Sequence, residues 1–183
     1  TGQTIVGIAT LDQNIEHDFA IHDLNRFLGA LSLFNNPDIQ FHDRYLTIKD
    51  AGKELNYVFT DPSVILTPPD VFLPDVAATL KMTASVLSDI TKALSVMSLP
   101  QLAFVGDGEN VSVQAIDTDN PTSDVFKITD LGKTDKVFKA IFKVENLKIV
   151  SGDYDVSIAS EVVAHFKGND IEYYLAIEEN SEM

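Results

Sequence analysis

The sequence predicts an α+β protein in which one unit, made of a strand, a helix, a strand and a hairpin, occurs more than once. Two segments, residues 24–34 and 85–97, carry apolar residues at helical spacing. Three pairs of strand-like runs surround turn residues, and each pair follows a helix or a helical turn at intervals of roughly 60 residues. Such a recurrence indicates an internal repeat of one supersecondary unit.

The part of the chain before residue 60 is predicted to contain strands at 4–10 and 19–21, a helix and one hairpin. Asp23 is a favourable N-cap for the helix. The hairpin is formed by runs 45–49 and 55–59 around Gly52. The residues expected on the buried stripe of the helix are Leu24, Phe27, Leu28, Leu31 and Phe34.

The later part is predicted to begin with a strand at 76–82 and a helix at 85–97. Hairpins follow at 102–116 and 162–177, with further strands through Phe126 and at 154–159, and one or two helical turns at 145–149. Residues 178–183 are acidic and expected to be frayed. The second helix should direct Leu87, Ile90, Leu94 and Met97 inward and Ser85, Ser88, Lys92 and Ser95 outward.

A proline-rich stretch divides these two parts. Residues 61–74 contain four of the seven prolines, and proline lacks the N–H that a helix interior or a central strand requires. The stretch is also strongly apolar, which favours a stiff connector lying against the protein over a flexible linker. An ordinary connector and one that also receives a partner both fit this pattern.

The repeat count predicts two domains of unequal completeness. One unit precedes the connector and two follow it, so the N-terminal domain is expected to lack most of a unit at its start. We therefore predict an N-terminal domain at 1–60, a connector at 61–75 and a C-terminal domain at 76–183.

Composition limits the possible functions. The 183 residues are 45% hydrophobic, enough for one sizeable core or two small ones, and no apolar run reaches the length of a membrane span. The absence of cysteine excludes disulfides and thiolate metal sites. The formal net charge of −15 argues, taken alone, against nucleic acid, because phosphate binding depends on clustered Lys and Arg.

No motif predicts catalysis, a metal site or a cofactor. Phosphate-binding loops and a G-x-S-x-G elbow are absent, and the four histidines stand outside metal-binding motifs. An acidic loop could hold a calcium ion but lacks the EF-hand spacing, so a solvated turn is favoured. That loop contains Asp117, Asp119, Asn120 and Asp124.

Five of the thirteen basic residues fall within a short window, which forms a local basic patch in an acidic sequence. The alternative interpretation is an ordinary solvated face. The five residues are Lys133, Lys136, Lys139, Lys143 and Lys148.

Four segments together resemble the DNA polymerase sliding clamps of T-even-type bacteriophages. They are DFAIHDLNRFLGALSLF, the connector beginning DPS, VENLKIVSGDYDVSIAS and HFKGNDIEYYLAIEEN. The most specific pieces are HDLNRFLGALSL and N-L-K-I-x-x-G-D-Y. Compared with the family pattern, the first basic helix and its opening strand have no counterpart, in agreement with the repeat count.

The resemblance implies the DNA-clamp fold, with two similar domains whose helices lie on one side of antiparallel sheets. It also implies a ring of three subunits around duplex DNA, with no catalytic activity, cofactor or membrane partner. Such a ring would be loaded by a clamp loader and would tether the phage polymerase in the cytoplasm of an infected bacterium. A closed ring holds DNA by topology, so weak contacts suffice and an acidic exterior is compatible with DNA.

The resemblance also implies site residues. Lys92 and Lys148 would face DNA, and Arg26 and Lys143 are further candidates at positions where the family pattern does not demand a base. A pocket beside the connector would receive the C-terminal peptide of the polymerase, lined by Val64, Ile65, Leu66, Pro68 and Phe72. The main alternative is a β-rich phage structural protein whose acidic loop binds calcium. A hydrolase using Asp and His has the least support.

Overall fold

The structure, a computed structural model, describes residues 4–15, 17–65, 73, 75–160 and 163–183. Its strands are β1 (Ile5–Ala9), β2 (Asp38–Phe41), β3 (Tyr45–Asp50), β4 (Lys53–Val58), β5 (Val76–Met82), β6 (Gln101–Asp107), β7 (Asn110–Ile116), β8 (Phe126–Lys133), β9 (Val137–Lys143), β10 (Tyr154–Ala159), β11 (Val163–Lys167) and β12 (Ile171–Ala176). The helices are α1 (Leu24–Leu31) and α2 (Ala84–Val96). Across the described ranges, no helix is long and apolar enough to span a membrane.

The chain divides into two compact units. The small unit comprises Asp12–Pro69, and the large unit comprises Thr1–Leu11 together with Asp70–Met183.

The small unit consists of α1 and the antiparallel sheet β2-β3-β4. The Asp23 side chain accepts a hydrogen bond from the Arg26 backbone N–H at 3.0 Å, which confirms the predicted N-cap. Phe34 is buried against Leu46 and Ile48 of β3, and Phe27 and Leu31 of the helix pack around them. These side chains form the core of the unit.

Two residues of the predicted α1 stripe do not face this core. Leu24 and Leu28 are 61% and 52% exposed. The periodicity identified the helix correctly, but apolar residues extend around more of its surface than the buried face.

The strand predicted at 19–21 is wrong. These residues pair with no strand, although the Thr60 N–H donates to the Ala20 carbonyl at 2.9 Å. The Phe19 ring instead stacks on Phe59 at a centroid distance of 5.0 Å. The apolar run reflects side-chain packing rather than participation in a sheet.

The large unit contains two antiparallel sheets, β1-β12-β11-β10-β5 and β8-β7-β6-β9. Alternate residues of both sheets point into one main core, which also receives the buried face of α2. Phe104 of β6 is fully buried there, with its ring 5.9 Å from Phe142 of β9 and 6.1 Å from Phe166 of β11. The contact between Phe104 and Phe166 thus joins the two sheets.

β1 belongs to the large unit, because it pairs with β12 from Ile5 opposite Leu175 to Ala9 opposite Ile171. The predicted boundaries placed this strand in the N-terminal domain at 1–60, and the observed pairing differs from that assignment. Residues so distant in sequence give no local sign that they pair. The strand could therefore be predicted, but its pairing with β12 could not.

The C-terminal residues are held against β9, contrary to the expected fraying. The Glu182 backbone N–H donates to the Lys139 carbonyl at 2.9 Å, and the Glu178 N–H donates to the Ile141 carbonyl at 2.9 Å. The Ser181 hydroxyl also accepts from the Ile141 N–H at 2.9 Å. Backbone pairing along the strand edge therefore orders a segment whose composition predicted disorder.

Candidate functional site

The helix α2 is the first of two elements that carry the predicted DNA-facing lysines. Thr83 caps it, accepting from the Val86 N–H at 3.3 Å. Ile90 and Leu94 are buried in the main core, whereas Lys92 is exposed. Met97, expected to point inward, is 37% exposed just beyond the end of the helix.

The second element is the segment 144–154, which contains the N-L-K-I-x-x-G-D-Y motif and leads into β10. Its predicted helical turns reduce to a single 3₁₀ turn at Val144–Asn146. Leu147 and Ile149 pack against the main core, and Lys148 between them is exposed. The apolar positions of the motif therefore anchor the segment while its lysine faces solvent.

Two buried tyrosines hold this segment through Val150. The Tyr154 hydroxyl donates to the Val150 carbonyl at 2.7 Å, and the Val150 N–H donates to the Tyr173 hydroxyl at 3.2 Å. Burial, followed by the nearby Tyr173, raises the pKa of the Tyr154 hydroxyl, so this hydroxyl remains a donor at neutral pH. No local sequence pattern predicted this role for either tyrosine, although Tyr154 is the last residue of the motif.

Asp153 joins the segment to α2. Its carboxylate accepts a hydrogen bond from the Ala84 N–H, the first residue of the helix, at 2.7 Å. A carboxylate at a helix N-terminus satisfies a free backbone donor and interacts favourably with the helix dipole. The two elements that carry Lys92 and Lys148 are therefore directly connected, a link that the sequence did not reveal.

Lys143 lies on a different surface from Lys92. In β9 it stands opposite Gln101, next to the Phe142–Leu102 pair, which faces the main core with α2. Because successive side chains alternate across a sheet, Lys143 points to the opposite face. There it forms an ion pair with Glu178 at 2.9 Å, and that hydrogen bond raises the pKa of Lys143. This placement is at variance with a DNA-facing role beside α2.

The predicted basic patch is dispersed in the structure. The Lys133 ammonium donates to Asn110 at 2.7 Å, and Lys136 pairs with Asp75 at 3.3 Å. These contacts are largely exposed, as expected for solvated surface lysines. Of the five lysines in the predicted patch, only Lys148 lies in the segment 144–154, which is hydrogen-bonded to α2.

Arg26 is exposed on α1 of the small unit. Its backbone N–H, rather than its guanidinium, makes the contact with Asp23 described above. Its predicted role toward DNA stays a prediction.

The connector is described only in part. Pro62–Val64 form a short 3₁₀ turn that begins with the Asp61 side chain accepting from the Ser63 N–H at 2.9 Å. Val64 is 66% exposed and Ile65 is half-buried. Leu66, Pro68 and Phe72 lie outside the described residues. The partner pocket therefore stays a prediction.

The acidic loop is a hydrogen-bonded turn. Asp117 accepts from the Asp119 N–H at 3.0 Å, and Asn120 accepts from the Thr122 N–H at 3.2 Å. Among the residues that the structure describes, no group of three or more acidic or histidine side chains is arranged to hold a metal ion.

The architecture of antiparallel sheets with α2 on the core side is that of the DNA clamps. The chain is similar to PCNA from Thermococcus kodakaraensis, with a TM-score of 0.65 at 16% identity, covering 96% of this chain and 82% of that one. It is also similar to A. fulgidus PCNA bound to the C-terminal region of FEN-1, with a TM-score of 0.64 at 21% identity over 87% of this chain and 72% of that one. The β subunit of DNA polymerase III from Borrelia burgdorferi gives a TM-score of 0.69 at 11% identity, covering 97% of this chain and 51% of that one. The predicted DNA-clamp fold is confirmed.

The sequence comparisons find similarity to the sliding clamps of bacteriophages. Residues 101–179 match the family described as gp45 sliding clamp, C terminal. The sliding clamp of Vibrio phage KVP40 is 27% identical over 182 residues, covering 94% of this chain and 82% of that protein. The sliding clamp of Enterobacteria phage T4 is 26% identical, covering 94% of this chain and 80% of that protein. The chain is thus similar in sequence to the sliding clamps of these phages, in agreement with the resemblance noted from its motifs.

Proposed function

We propose that this protein is a DNA sliding clamp that encircles duplex DNA and tethers a phage replicative polymerase, raising its processivity. The observation that carries the proposal is the similarity to phage sliding clamps over 94% of the chain, together with the clamp fold. The calcium-binding structural protein is not favoured, because both kinds of comparison lead to clamps.

The charge distribution is compatible with this function. A ring that surrounds DNA needs only weak, sequence-independent contacts, and these allow sliding. The net charge of −15 would then keep the exterior away from DNA, while a few lysines contact phosphates. Lys92 and Lys148 are the proposed contacts, because they lie on two connected elements of the large unit.

Self-association into a ring of three subunits is part of the proposal. β4 ends the sheet of the small unit, and β8 ends one sheet of the large unit. The exposed edge of a terminal strand can pair with another chain, which supports assembly through strand edges. Measuring the mass of the protein in solution tests this directly: a stable three-subunit species is expected, and a monomer at micromolar concentration would contradict it.

The DNA contacts are tested by charge reversal. Lys92→Glu combined with Lys148→Glu should lower clamp-dependent DNA synthesis on a primed circular template without unfolding the protein. The matched control combines Lys49→Glu with Lys81→Glu, which reverses two exposed lysines located on strands that are assigned neither to DNA contact nor to ring assembly, and it should leave synthesis unchanged. Equal synthesis by both double variants would remove Lys92 and Lys148 from the DNA contacts.

The remaining partners proposed are a polymerase C-terminal peptide, bound beside the connector, and a clamp loader, all acting in the cytoplasm of the infected host. Apolar anchors in a pocket would supply most of the peptide's affinity. Ile65→Asp should therefore abolish binding of a polymerase tail peptide, whereas Val137→Asp, at a residue 76% exposed in β9, should not. Peptide affinity retained by Ile65→Asp would place the pocket elsewhere.

A further inference from the structure

The backbone of Val150 is held at both of its polar groups by side chains from the main core. Its carbonyl accepts from Tyr154 and its N–H donates to Tyr173, at 2.7 and 3.2 Å. Tyr154 begins β10 and Tyr173 lies in β12, so the two hydroxyls come from different strands of one sheet. Residues 147–150 belong to no helix or strand, and these side chains replace the backbone pairing that regular structure would provide.

Packing fixes the two rings before their hydroxyls are considered. Tyr154 is 4% exposed and Tyr173 is 6% exposed. The Tyr154 ring meets Phe166 edge-on at a centroid distance of 6.3 Å and Tyr173 at 6.1 Å. Since buried aromatic rings occupy defined rotamers, the hydroxyls are held at fixed points along the segment.

We propose that Tyr154 and Tyr173 are positioning residues that hold Lys148 at the DNA-facing surface. Lys148 stands two positions before Val150 and is flanked by Leu147 and Ile149, which pack against the core. With both sides of the backbone anchored, the lysine projects from a fixed point. This inference rests on the proposed function, because it assumes that Lys148 contacts DNA.

A purely structural role of the tyrosines would give different results. If the rings only fill the core, replacing tyrosine by phenylalanine would leave the segment and its lysine in place. If the hydroxyls position the segment, their removal should free Val150 while the rings stay packed. The informative variants are therefore Tyr154→Phe and Tyr173→Phe, which keep the aromatic volume.

Amide hydrogen exchange tests the positioning without DNA. In Tyr173→Phe the Val150 N–H loses its acceptor, and its exchange should accelerate by about tenfold or more, as local opening becomes easier. The Val156 amide, in the middle of β10 and flanked by β11 and β5, is the internal control and should keep its rate. Unchanged exchange at Val150 would overturn the proposal.

DNA association measured against salt concentration tests the functional consequence. A short duplex with open ends serves as the probe, because a ring can thread onto it without a loader. Lys148→Gln should reduce the slope of log affinity against log salt by about one unit, the value expected for one lost phosphate contact. The Tyr154→Phe, Tyr173→Phe double variant should weaken affinity by about twofold to fivefold and lower the slope in the same direction.

Two further variants make the result specific. Adding both tyrosine changes to Lys148→Gln should cause no further loss of affinity, because the positioned group is already gone. Tyr174→Phe is the matched control, since Tyr174 stacks on His165 at 4.4 Å, away from Val150, and it should behave as the unmodified protein.

The failures are distinguishable. If Lys148→Gln lowers the slope and the tyrosine variants do not, the positioning role is overturned while the sliding clamp stands. An unchanged slope in Lys148→Gln also overturns the positioning role, and the synthesis assay with the Lys92→Glu, Lys148→Glu variant then judges the clamp function separately.

Discussion

Replacing Asp153 should destabilise the large unit, whereas replacing Asp155, two positions later, should not. The Asp153 carboxylate accepts from the Ala84 N–H at 2.7 Å, at the start of α2. Asp155 is exposed in β10 and faces Lys81 at 3.8 Å, with both side chains more than two thirds exposed. The two carboxylates are close in sequence, but Asp153 binds a backbone N–H of the helix whereas Asp155 makes only an exposed ion pair.

The size of the effect follows from the two contributions of the Asp153 side chain. Thr83 is the N-cap of the helix, and the Asp153 hydrogen bond satisfies a further free N–H of the first turn, an interaction comparable to a capping bond of about 0.5–2 kcal/mol. The negative charge near the helix N-terminus adds about 0.3–1 kcal/mol in low salt. Because Asp153 is exposed, Asp153→Ala should cost about 1–1.5 kcal/mol, and Asp153→Asn, which keeps an acceptor, about 0.3–1 kcal/mol. Asp155→Ala should cost less than about 0.5 kcal/mol.

Urea unfolding followed by far-ultraviolet circular dichroism measures these free energies. The cost of Asp153→Asn should shrink as salt is raised, because ions screen the interaction with the helix dipole. If Asp153→Ala is no more destabilising than Asp155→Ala, the Asp153 carboxylate does not stabilise the start of α2. A cost of Asp153→Asn that is independent of salt would refute the electrostatic part alone.

Three further changes test the packing and hydrogen bonding of the large unit. Gly106→Ala places a methyl group against the Phe138 ring and should lower the free energy of unfolding in urea by about 1–3 kcal/mol. An unchanged free energy of unfolding would contradict the close approach of this ring to the Gly106 backbone. Phe104→Ala removes a fully buried ring and should cost about 3–5 kcal/mol by the same measurement; a loss below about 1 kcal/mol would count against its central place in the core. The pKa of Asp107 is lowered by hydrogen bonds from backbone N–H groups, first that of Asn110. The ionised carboxylate therefore stabilises the folded protein fully above the unfolded pKa of 3.8, and this contribution is lost as the pH falls through the lower folded pKa. The stability difference between the unmodified protein and Asp107→Asn should therefore narrow in acid, and a difference independent of pH would contradict this cause.

Local patterns predicted most of the elements, because their causes are local. The strand predicted at 76–82 is β5, Val76–Met82, and the helix predicted at 85–97 is α2, Ala84–Val96. Turn residues around Gly52 and Gly108, both with positive φ, correctly indicated two hairpins. Apolar periodicity and turn chemistry are properties of neighbouring residues and can be read without the fold.

The long-range contacts of the candidate site could not be predicted in this way. The hydrogen bond from Ala84 to Asp153 joins residues 69 positions apart, and nothing local to either one indicates the other. Lys143 illustrates the same limit, because only the register of β9 with β6 shows which face it occupies. The family resemblance predicted Lys148 as a DNA contact, whereas the contacts of Tyr154 and Tyr173 with Val150 are visible only in the structure.

The pairing of β1 with β12 has a consequence for how the protein folds. Ile5 lies opposite Leu175, about 170 positions later, and the whole small unit is encoded between β1 and β5. Closing a loop of this length costs chain entropy before the pairing can compensate for it, and contacts so distant in sequence form late. We therefore expect the small unit to fold independently and early, and the five-stranded sheet to gain its outermost strand last.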